Sequence, residues 1–252
     1  MKELEQKPKD EGRYVYCIAD SEKSINFGRI GIDNSEVYTI PFKGLCAVVH
    51  NCKAEPYKSD DEVVVKNWIR QHDGVIDKAS ELGTVIPLTF DMIIKGSNKE
   101  VMNWLEKENG RLRDIIKRIE GKQEFGVQVF LDRKIMGSKI AEENKEIQGL
   151  RREMKKESKG KAYFLKQKIE KILKMEIEKR ADLYFKDFFN RIKRFADDVR
   201  VGRVKNSDML MNLSCLVRKD NVEDLGTELG IINNINGFSV RFTGPWPPYS
   251  FV

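Results

Sequence analysis

Residues Lys161 to Val201 contain neither glycine nor proline, and this uninterrupted stretch constrains the fold more than any other feature of the sequence. Apolar residues recur in it every three or four positions, the spacing that places them on one face of an α-helix. Such a helix would extend about 60 Å at about 1.5 Å per residue, more than a compact domain buries. The pattern therefore predicts a long helix that projects, or that pairs with a preceding helix at roughly residues 140–157 as an αα-hairpin, with Gly160 in or near the turn.

Strand patterns lie on both sides of this helical stretch. Aromatic and β-branched residues suit a pleated, half-buried surface, and strict alternation puts every second residue on one face. Lys43-Gly44 predicts a hairpin, and Pro87 favours an edge or a strand end. The predicted strands are RYVYCIA (13–19), EVYTIPF (36–42), GLCAVVH (44–50), TVIPLTF (84–90), QEFGVQVFL (123–131, with Phe125, Val127, Val129 and Leu131 on one face), MLMNLSCLV (209–217) and FSVRFT (238–243, with Phe238, Val240 and Phe242 inward).

Three further helices are predicted from their first residues. A Ser, Thr or Asp followed three positions later by Glu matches a capping box, in which each side chain bonds the backbone N–H of the other residue. The pairs are Ser59 with Glu62, Ser97 with Glu100, and Asp220 with Glu223. Gly121 and Gly230 follow the second and third of these helices, where a glycine C-cap is expected.

This order of elements predicts an α+β fold with two small ferredoxin-like domains, the second carrying an inserted helical hairpin that forms a coiled-coil-like arm. The predicted division is a flexible N-terminus at 1–12, an N-terminal α+β domain at 13–95 and a C-terminal α+β domain at 96–252. Within the last we expect the helical insertion at 139–201 and a separate tail at 243–252.

The net charge of +6 comes from one segment of the chain. Residues 139–194 carry 18 Lys and Arg against 10 Asp and Glu, so the rest of the chain has a small acidic excess. Because the two signs are interleaved, a solvated helix face is the first interpretation. A nucleic-acid-associated protein that binds through residues 139–194 is the alternative.

Patterns for catalysis, cofactors and metals are weak. The glycines of FGRIGID have the wrong spacing for a phosphate-binding loop, and Cys17, Cys46, Cys52 and Cys215 are scattered without a Cys-x-x-Cys pair. We therefore expect reduced thiols, no metal and no cofactor. His72 could be drawn as a general base with Asp73 and Asp77, but it shares the apolar stripe of Trp68, which favours a hydrogen-bonded core or interface histidine. The charged N-terminus lacks an apolar signal segment, and we expect a cytoplasmic protein.

The last ten residues, TGPWPPYSFV, are unusually stiff and apolar for a C-terminus. Pro245, Pro247 and Pro248 fix their own φ angles and push the preceding residues toward extended conformations. A strip that is already stiff loses little entropy when it docks. It can act as a strap over its own domain or as a docking peptide for another protein. On the second interpretation the partner-binding residues are Trp246, Pro247, Pro248, Tyr249 and Phe251.

Six segments of the chain, in order, resemble motifs of the gas vesicle protein F/L family (GvpF/GvpL). The tail resembles the family's C-terminal signature, and the other five segments resemble its opening strand, its His-containing helix, its Val-Leu-Pro-x-Arg-Phe-Gly element and its two Gly-led segments. These five are YVYCI (14–18), QHDGVI (71–76), VIPLTF (85–90), GKQEFGVQV (121–129) and GKAYFLKQK (160–168). Thr89, Asp91 and Gln128 depart from the family pattern, where Arg, Gly and Lys are usual.

The resemblance implies a non-enzymatic role in gas vesicle formation. Family members look like assembly factors or minor vesicle components that contact a small, very hydrophobic shell protein, toward the gas-facing side of the shell. The partners it implies are therefore the shell protein and other gas vesicle accessory proteins, with no membrane and no small-molecule substrate. The family fold, two α+β domains of ferredoxin-like character with added helices, agrees with the prediction made from the residue patterns.

Overall fold

A computed structural model describes residues 11–252 of the chain. The chain divides into two compact units, one made of Met1–Gln123 with Trp246–Val252 and the other of Glu124–Pro245. The sequence placed this boundary after residue 95 and assigned the tail to the C-terminal domain. Of the expected flexible N-terminus at 1–12, residues 1–10 lie outside the described part, and Glu11 and Gly12 already belong to the first strand.

The first unit contains an antiparallel sheet in the order β2-β3-β4-β1-β5, with β6 also pairing to β1. The strands and helices are β1 (Glu11–Ala19), β2 (Asn26–Gly28), β3 (Val37–Phe42), β4 (Leu45–Lys53), α1 (Glu62–Ala79), β5 (Val85–Pro87), β6 (Ile93–Lys95) and α2 (Asn98–Ile119). The predicted hairpin is confirmed, since Phe42 pairs with Leu45. Pro87 ends β5 at the side of the sheet, where a residue without an N–H is tolerated.

Strand β1 forms the centre of this unit because its run from Tyr14 to Ala19 is fully buried on both faces. The Tyr14 and Tyr16 rings lie on one face of the strand, with centroids 4.8 Å apart. There they pack against Trp68, Val75 and other apolar residues of α1. Helix α2 buries a second apolar stripe, namely Val101, Leu105, Leu112, Ile116 and Ile119.

The two capping boxes predicted in this unit had different outcomes. Ser97 and Glu100 form the predicted box at the start of α2, each bonding the backbone of the other. Helix α1 instead begins after Asp61, whose carboxylate accepts from the Val63 N–H at 2.8 Å, so the capping box at Ser59 is wrong. Asp61 lies directly before the helix, where its shorter reach to the free N–H groups makes it the better cap.

The second unit contains a four-stranded sheet in the order β10-β7-β9-β8. Its elements are β7 (Lys122–Leu131), α3 (Arg133–Glu143), α4 (Lys145–Met154), α5 (Lys159–Lys193), β8 (Asp198–Val201), β9 (Met209–Arg218), α6 (Val222–Asn233) and β10 (Phe238–Trp246). The alternating residues Phe125, Val127, Val129 and Leu131 of β7 are buried as predicted. They form one core with the inward residues of β9 and with the apolar stripes of α5 and α6.

The helical region of this unit differs from the prediction. Two helices, α3 and α4, replace the single helix expected at 140–157. Gly160 is the second residue of α5 and so lies near the turn that precedes this helix, as predicted. Helix α5 ends at Lys193, and Val199 pairs with Cys215 in the sheet. The apolar positions 195 and 199 fit both a helix and a strand. Pairing with β9 favours the strand at position 199. This is a tertiary interaction, and it cannot be predicted from the local spacing of apolar residues.

Three smaller predictions near the C-terminus are also wrong. Helix α6 begins after Asn221 without a side-chain cap, so Asp220 is not its cap, and it continues through Gly230 to Asn233. A 3₁₀ turn at Lys219–Asn221 leads into the helix and removes the need for that cap. Phe242 is exposed rather than inward, although its ring stacks on Phe125 with centroids 5.1 Å apart.

The resulting fold is mixed α and β with antiparallel sheets. In the first unit, four strands precede the first α-helix among the described residues, unlike the β-α-β-β-α-β order of a ferredoxin-like domain. Across residues 11–252 no helix is both long enough and apolar enough to cross a membrane.

Candidate functional site

The C-terminal tail consists of an extended segment followed by a single 3₁₀ turn. Strand β10 continues to Trp246, so the extended conformation predicted for the proline-rich stretch is present up to that residue. The Tyr249 N–H then donates to the Pro247 carbonyl at 2.8 Å, and the Phe251 N–H donates to the Pro248 carbonyl at 3.0 Å. These bonds turn the last residues back into the first unit.

Contacts of Phe251 and Tyr249 hold the tail within the first unit. The Phe251 side chain is only 1% exposed, and its backbone carbonyl accepts from the Arg118 guanidinium of α2. The Tyr249 hydroxyl donates to the Asp73 carboxylate of α1 at 2.9 Å. Partial burial, and then this bond to a carboxylate, raises the pKa of Tyr249. The hydroxyl therefore remains a donor at all physiological pH values.

The remaining large side chain of the tail points to solvent. Trp246 is 55% exposed, whereas Pro248 and Phe251 are buried, and Pro247 lies between these limits. The segment therefore combines buried and exposed side chains within a few residues. Of the five predicted partner-binding residues, Trp246 and Tyr249 are the two exposed to solvent.

A second polar site lies inside the first unit, where two histidines are each held by a tyrosine of β1. The Tyr14 hydroxyl lies 2.9 Å from His72 Nδ1, and the Tyr16 hydroxyl lies 2.8 Å from His50 Nδ1. His50 Nε2 lies 2.9 Å from the Tyr57 hydroxyl. Because Tyr14 and Tyr16 share a face of β1, the strand places both histidines against one aromatic cluster.

The backbone fixes the direction of the hydrogen bonds of His72. The Leu88 carbonyl lies 3.1 Å from His72 Nε2 and can only accept, so the neutral ring carries its proton on Nε2 and accepts from the Tyr14 hydroxyl at Nδ1. The Asp91 N–H donates to the Tyr14 hydroxyl at 3.0 Å, and the Ile32 N–H donates to the Tyr16 hydroxyl at 2.9 Å. Burial lowers the pKa of His50 to about 4 and also lowers that of His72, so both rings are neutral at pH 7.

This geometry matches the interpretation of His72 as a hydrogen-bonded core histidine. Its ring is 2% exposed and both nitrogens are used, while Asp73 accepts from Tyr249 instead. All four cysteines are free thiols, and burial is the main cause that raises the pKa of each. Among residues 11–252, no group of three or more His, Cys, Asp or Glu side chains is arranged to hold a metal ion.

The second unit has a shallow groove of about 210 Å³ beside α5. Its lining includes apolar residues such as Phe185 and Met209 together with Arg133, Glu178 and Asp182. Arg133 already donates to the Ser207 carbonyl at 2.8 Å and lies 3.9 Å from the Asp208 carboxylate. The groove therefore holds no convergent set of polar groups of the kind that orients a small molecule.

Several residues of the tail site were not predicted from the sequence. Asp73 and Arg118 lie more than a hundred positions from their tail partners, and no local pattern links them. The Tyr-x-Tyr spacing of Tyr14 and Tyr16 is a signal for the histidine cluster, because it puts two hydroxyls on one strand face. His50 lies within β4, and its role depends on the pairing of that strand with β1.

Comparison with known proteins gives a consistent result. A sequence profile described as "Gas vesicle synthesis protein GvpL/GvpF" matches residues 12–252. Gas vesicle protein L1 of Halobacterium salinarum is 28% identical, over 98% of this chain and 92% of that protein. Gas vesicle protein F of a Nostoc species is 22% identical, over 95% of this chain and 97% of that protein.

Two solved structures share the fold. The crystal structure of GvpF from an Anabaena species matches with a TM-score of 0.77 and 20% identity, over 96% of this chain and 98% of that one. GvpF from Microcystis aeruginosa matches with a TM-score of 0.68 and 19% identity, over 95% and 98%. The family motifs, the whole-length profile match and the shared fold agree, and the chain belongs to the GvpL/GvpF family of gas vesicle synthesis proteins.

Proposed function

We propose that this protein is a non-enzymatic assembly factor or minor structural component that binds the small, hydrophobic shell protein while gas vesicles form. It would act in the cytoplasm and reach the gas-facing side of the shell, with other gas vesicle accessory proteins as further partners. Family membership supports the involvement in gas vesicles. The proposed contact residues are those of the tail, with Trp246 and Tyr249 as the exposed members and Pro247, Pro248 and Phe251 as their support.

The exposure of Trp246 on an anchored tail carries this proposal. Phe251 is buried and the Phe251 carbonyl is held by Arg118, so the strip that carries Trp246 is already ordered. Ordering a flexible segment opposes binding, and an anchored segment avoids much of that cost. A large indole presented in this way is a typical centre of a protein–protein contact.

The chemistry of the expected partner agrees with this surface. An apolar subunit that assembles into a shell is at risk of aggregation until its exposed surface is covered. An aromatic strip with few charges can cover such a surface without burying unpaired charge. Trp246, Tyr249 and Val252 are the exposed apolar residues of the strip.

We also propose the finer fold assignments that the sequence suggested. In the second unit the elements follow in the order β7, helices α3 to α5, β8, β9, helix α6 and β10. With the additional helices between β7 and β8, this order and the strand order β10-β7-β9-β8 fit a ferredoxin-like split βαβ. Helices α4 and α5 are interpreted as a helical hairpin, because residues 155–158 join them and Lys168 of α5 lies 3.2 Å from Glu146 of α4.

Co-purification of the shell protein with the full chain tests the binding proposal. We expect Trp246→Ala to reduce capture of the shell protein at least tenfold, as hot-spot aromatics commonly do, with an unchanged unfolding transition. Leu183→Ala is the matched control, because Leu183 is similarly exposed but lies on α5. A chain ending at Phe242 tests the tail as a whole, provided that it remains folded.

Three outcomes would contradict the proposal. Equal capture by the wild type and by Trp246→Ala would remove the tail as the contact surface. Capture that falls only in proportion to unfolding, in the truncated chain and in Phe251→Ala alike, would leave the tail as an intramolecular strap. Failure of the full chain to capture the shell protein under any condition would overturn shell binding itself.

A further inference from the structure

The positive charge of the chain is concentrated where α4 ends and α5 begins. Residues 151–168, here called the basic tip, contain eight Lys and Arg against Glu153 and Glu157, a local balance of +6 that equals the net charge of the whole chain. The end of α4, the connecting residues and the first turns of α5 make up this segment. The tip is therefore the region of the protein to which an anionic partner is most strongly attracted.

Two aromatic rings project from the same segment. Tyr163 is 59% exposed and Phe164 is 72% exposed, the highest value among the large apolar side chains. Their ring centroids are 6.0 Å apart in an edge-on arrangement, and the Gln167 side-chain amide donates to the Tyr163 hydroxyl at 2.7 Å. Adjacent exposed aromatics are costly in water, so a contact that removes them from water would be favourable.

Most charges of the tip are not neutralised by the protein. Lys161, Lys166 and Lys168 pair with carboxylates at 3.2 to 3.8 Å. Five cations of the tip have no ion pair within residues 11–252, namely Arg151, Arg152, Lys155, Lys156 and Lys159. All five are exposed, so their charge remains available to a partner.

We propose that the basic tip docks peripherally on an anionic lipid surface, with its lysines among the headgroups and with Tyr163 and Phe164 in the interfacial layer. Clusters of four to eight Lys or Arg bind anionic lipid, and aromatic rings favour the membrane interface. Such docking needs no helix that crosses the membrane. It departs from the sequence-based expectation of no membrane partner, and it does not depend on binding of the shell protein.

The composition of the tip favours a lipid surface over other anionic partners. From residue 155 to 168 every cation is a lysine, a point charge suited to a diffuse headgroup layer, whereas arginine is preferred for paired recognition of carboxylate or phosphate. In proteins that bind single-stranded nucleic acid, the aromatic rings that stack on successive bases lie in a row along a groove, and this groove follows the nucleic-acid backbone. Tyr163 and Phe164 are consecutive on one helix and diverge by about 100° around its axis, so they form no such row.

Vesicle co-sedimentation of the full chain tests this proposal. We expect binding at physiological ionic strength to equimolar phosphatidylglycerol and phosphatidylcholine vesicles, and little binding to phosphatidylcholine alone. Replacing Lys155, Lys156 and Lys159 by Gln should weaken binding about fivefold for each lysine. Tyr163→Ser with Phe164→Ser should weaken it roughly tenfold. A Phe164→Trp variant should be quenched by brominated lipid.

Matched variants on the same helix serve as controls. Lys171→Gln, Lys174→Gln and Lys179→Gln remove the same charge, and Met175→Ser with Leu183→Ser removes equally exposed apolar side chains. These controls should bind anionic vesicles within about twofold of the wild type, as expected for surface changes outside the contact. The circular dichroism spectrum and the unfolding transition are checked for every variant.

The proposal is overturned if the tip variants and their controls bind vesicles equally, if no vesicle binding occurs, or if Phe164→Trp is not quenched. It is also overturned if the tip variants bind a DNA duplex more weakly than the wild type but bind vesicles equally well, since the partner would then be nucleic acid. Loss of shell-protein capture in a tip variant that still binds vesicles would bear on the proposed function and not on the lipid contact.

Discussion

Acidification should destabilise the first unit through His50, and the effect can be estimated from the structure. Burial lowers the pKa of His50 to about 4 in the folded chain, against about 6.5 in an unfolded one. Between these values the unfolded state binds more protons, so stability is complete above about pH 6.5 and falls as the pH approaches about 4. At about 1.36 kcal/mol per pKa unit, this residue alone should lower the free energy of unfolding by about 3 kcal/mol between pH 7 and pH 4.

Urea denaturation at a series of pH values measures this effect. All three tryptophans, Trp68, Trp104 and Trp246, belong to the first unit, so their fluorescence follows the unit that contains His50. His50→Gln removes the titrating ring and should be less stable than the wild type at pH 7, because the Tyr16 hydroxyl loses its partner at His50 Nδ1. The difference between the two proteins should shrink by about 3 kcal/mol as the pH is lowered to about 4.

Carboxylates titrate in the wild type and in His50→Gln alike, so their effect on the free energy of unfolding cancels in the difference between the two proteins. The chain has two histidines, so their nuclear magnetic resonance signals can be assigned with His72→Gln and titrated directly. A His50 pKa near 6.5, or a stability difference that stays constant with pH, would refute the argument that burial keeps this ring neutral.

Three stability predictions follow from the tail and the helix caps, all measured by urea denaturation at neutral pH. Phe251→Ala should cost about 3 kcal/mol because it empties a buried site, whereas Trp246→Ala should stay within about 0.5 kcal/mol; equal losses would contradict the anchoring by Phe251. Tyr249→Phe should cost about 1 kcal/mol through the lost bond to its carboxylate partner, and no loss would mean that water replaces that bond fully. Ser97→Ala should cost about 1 kcal/mol and Ser59→Ala almost nothing, and the reverse order would restore the capping box predicted at Ser59.

Local sequence patterns correctly predicted those elements that are determined by residues close together in the sequence. The Ser97 capping box, the alternation in β7 and the hairpin at Lys43-Gly44 each depend on neighbours in sequence, and each is present. The three-residue strand β2 was missed because Asn26–Gly28 has neither alternation nor β-branched residues. It pairs with β3, an interaction that no local signal reports.

The end of α5 shows why longer patterns are less secure. The apolar positions of residues 161–192 continue at 195 and 199, so helical spacing alone extends the helix past Lys193. From residue 197 on, the backbone bonds to β9 instead, beginning with the Asp197 N–H and the Leu216 carbonyl at 2.8 Å. The competing strand lies later in the chain, and local propensity is a weak guide where tertiary pairing is available.

The composition of the tail was sufficient to identify its residues as a candidate site. It was not sufficient to predict which of them are buried and which are exposed. The sequence left a strap and a docking peptide as alternatives, because stiffness and aromatic content serve both. In the structure Phe251 is buried and Trp246 is exposed, so under the proposed function the two roles would fall on different residues of one segment. This separation depends on Asp73 and Arg118, which lie far from the tail in sequence.

Loss of the anchor Phe251 should therefore weaken binding through Trp246, whereas loss of Trp246 should not affect the anchor. If Phe251 holds the strip in place, Phe251→Ala frees it, and any binding through Trp246 must then overcome the entropy of ordering the strip again. Trp246→Ala removes the displayed side chain and leaves the anchor intact. We expect Phe251→Ala to lower both stability and shell-protein capture, and Trp246→Ala to lower capture alone. A Phe251→Leu variant, which keeps most of the buried volume, should restore stability and capture together; restored stability without restored capture would show that the anchor contributes to the contact itself.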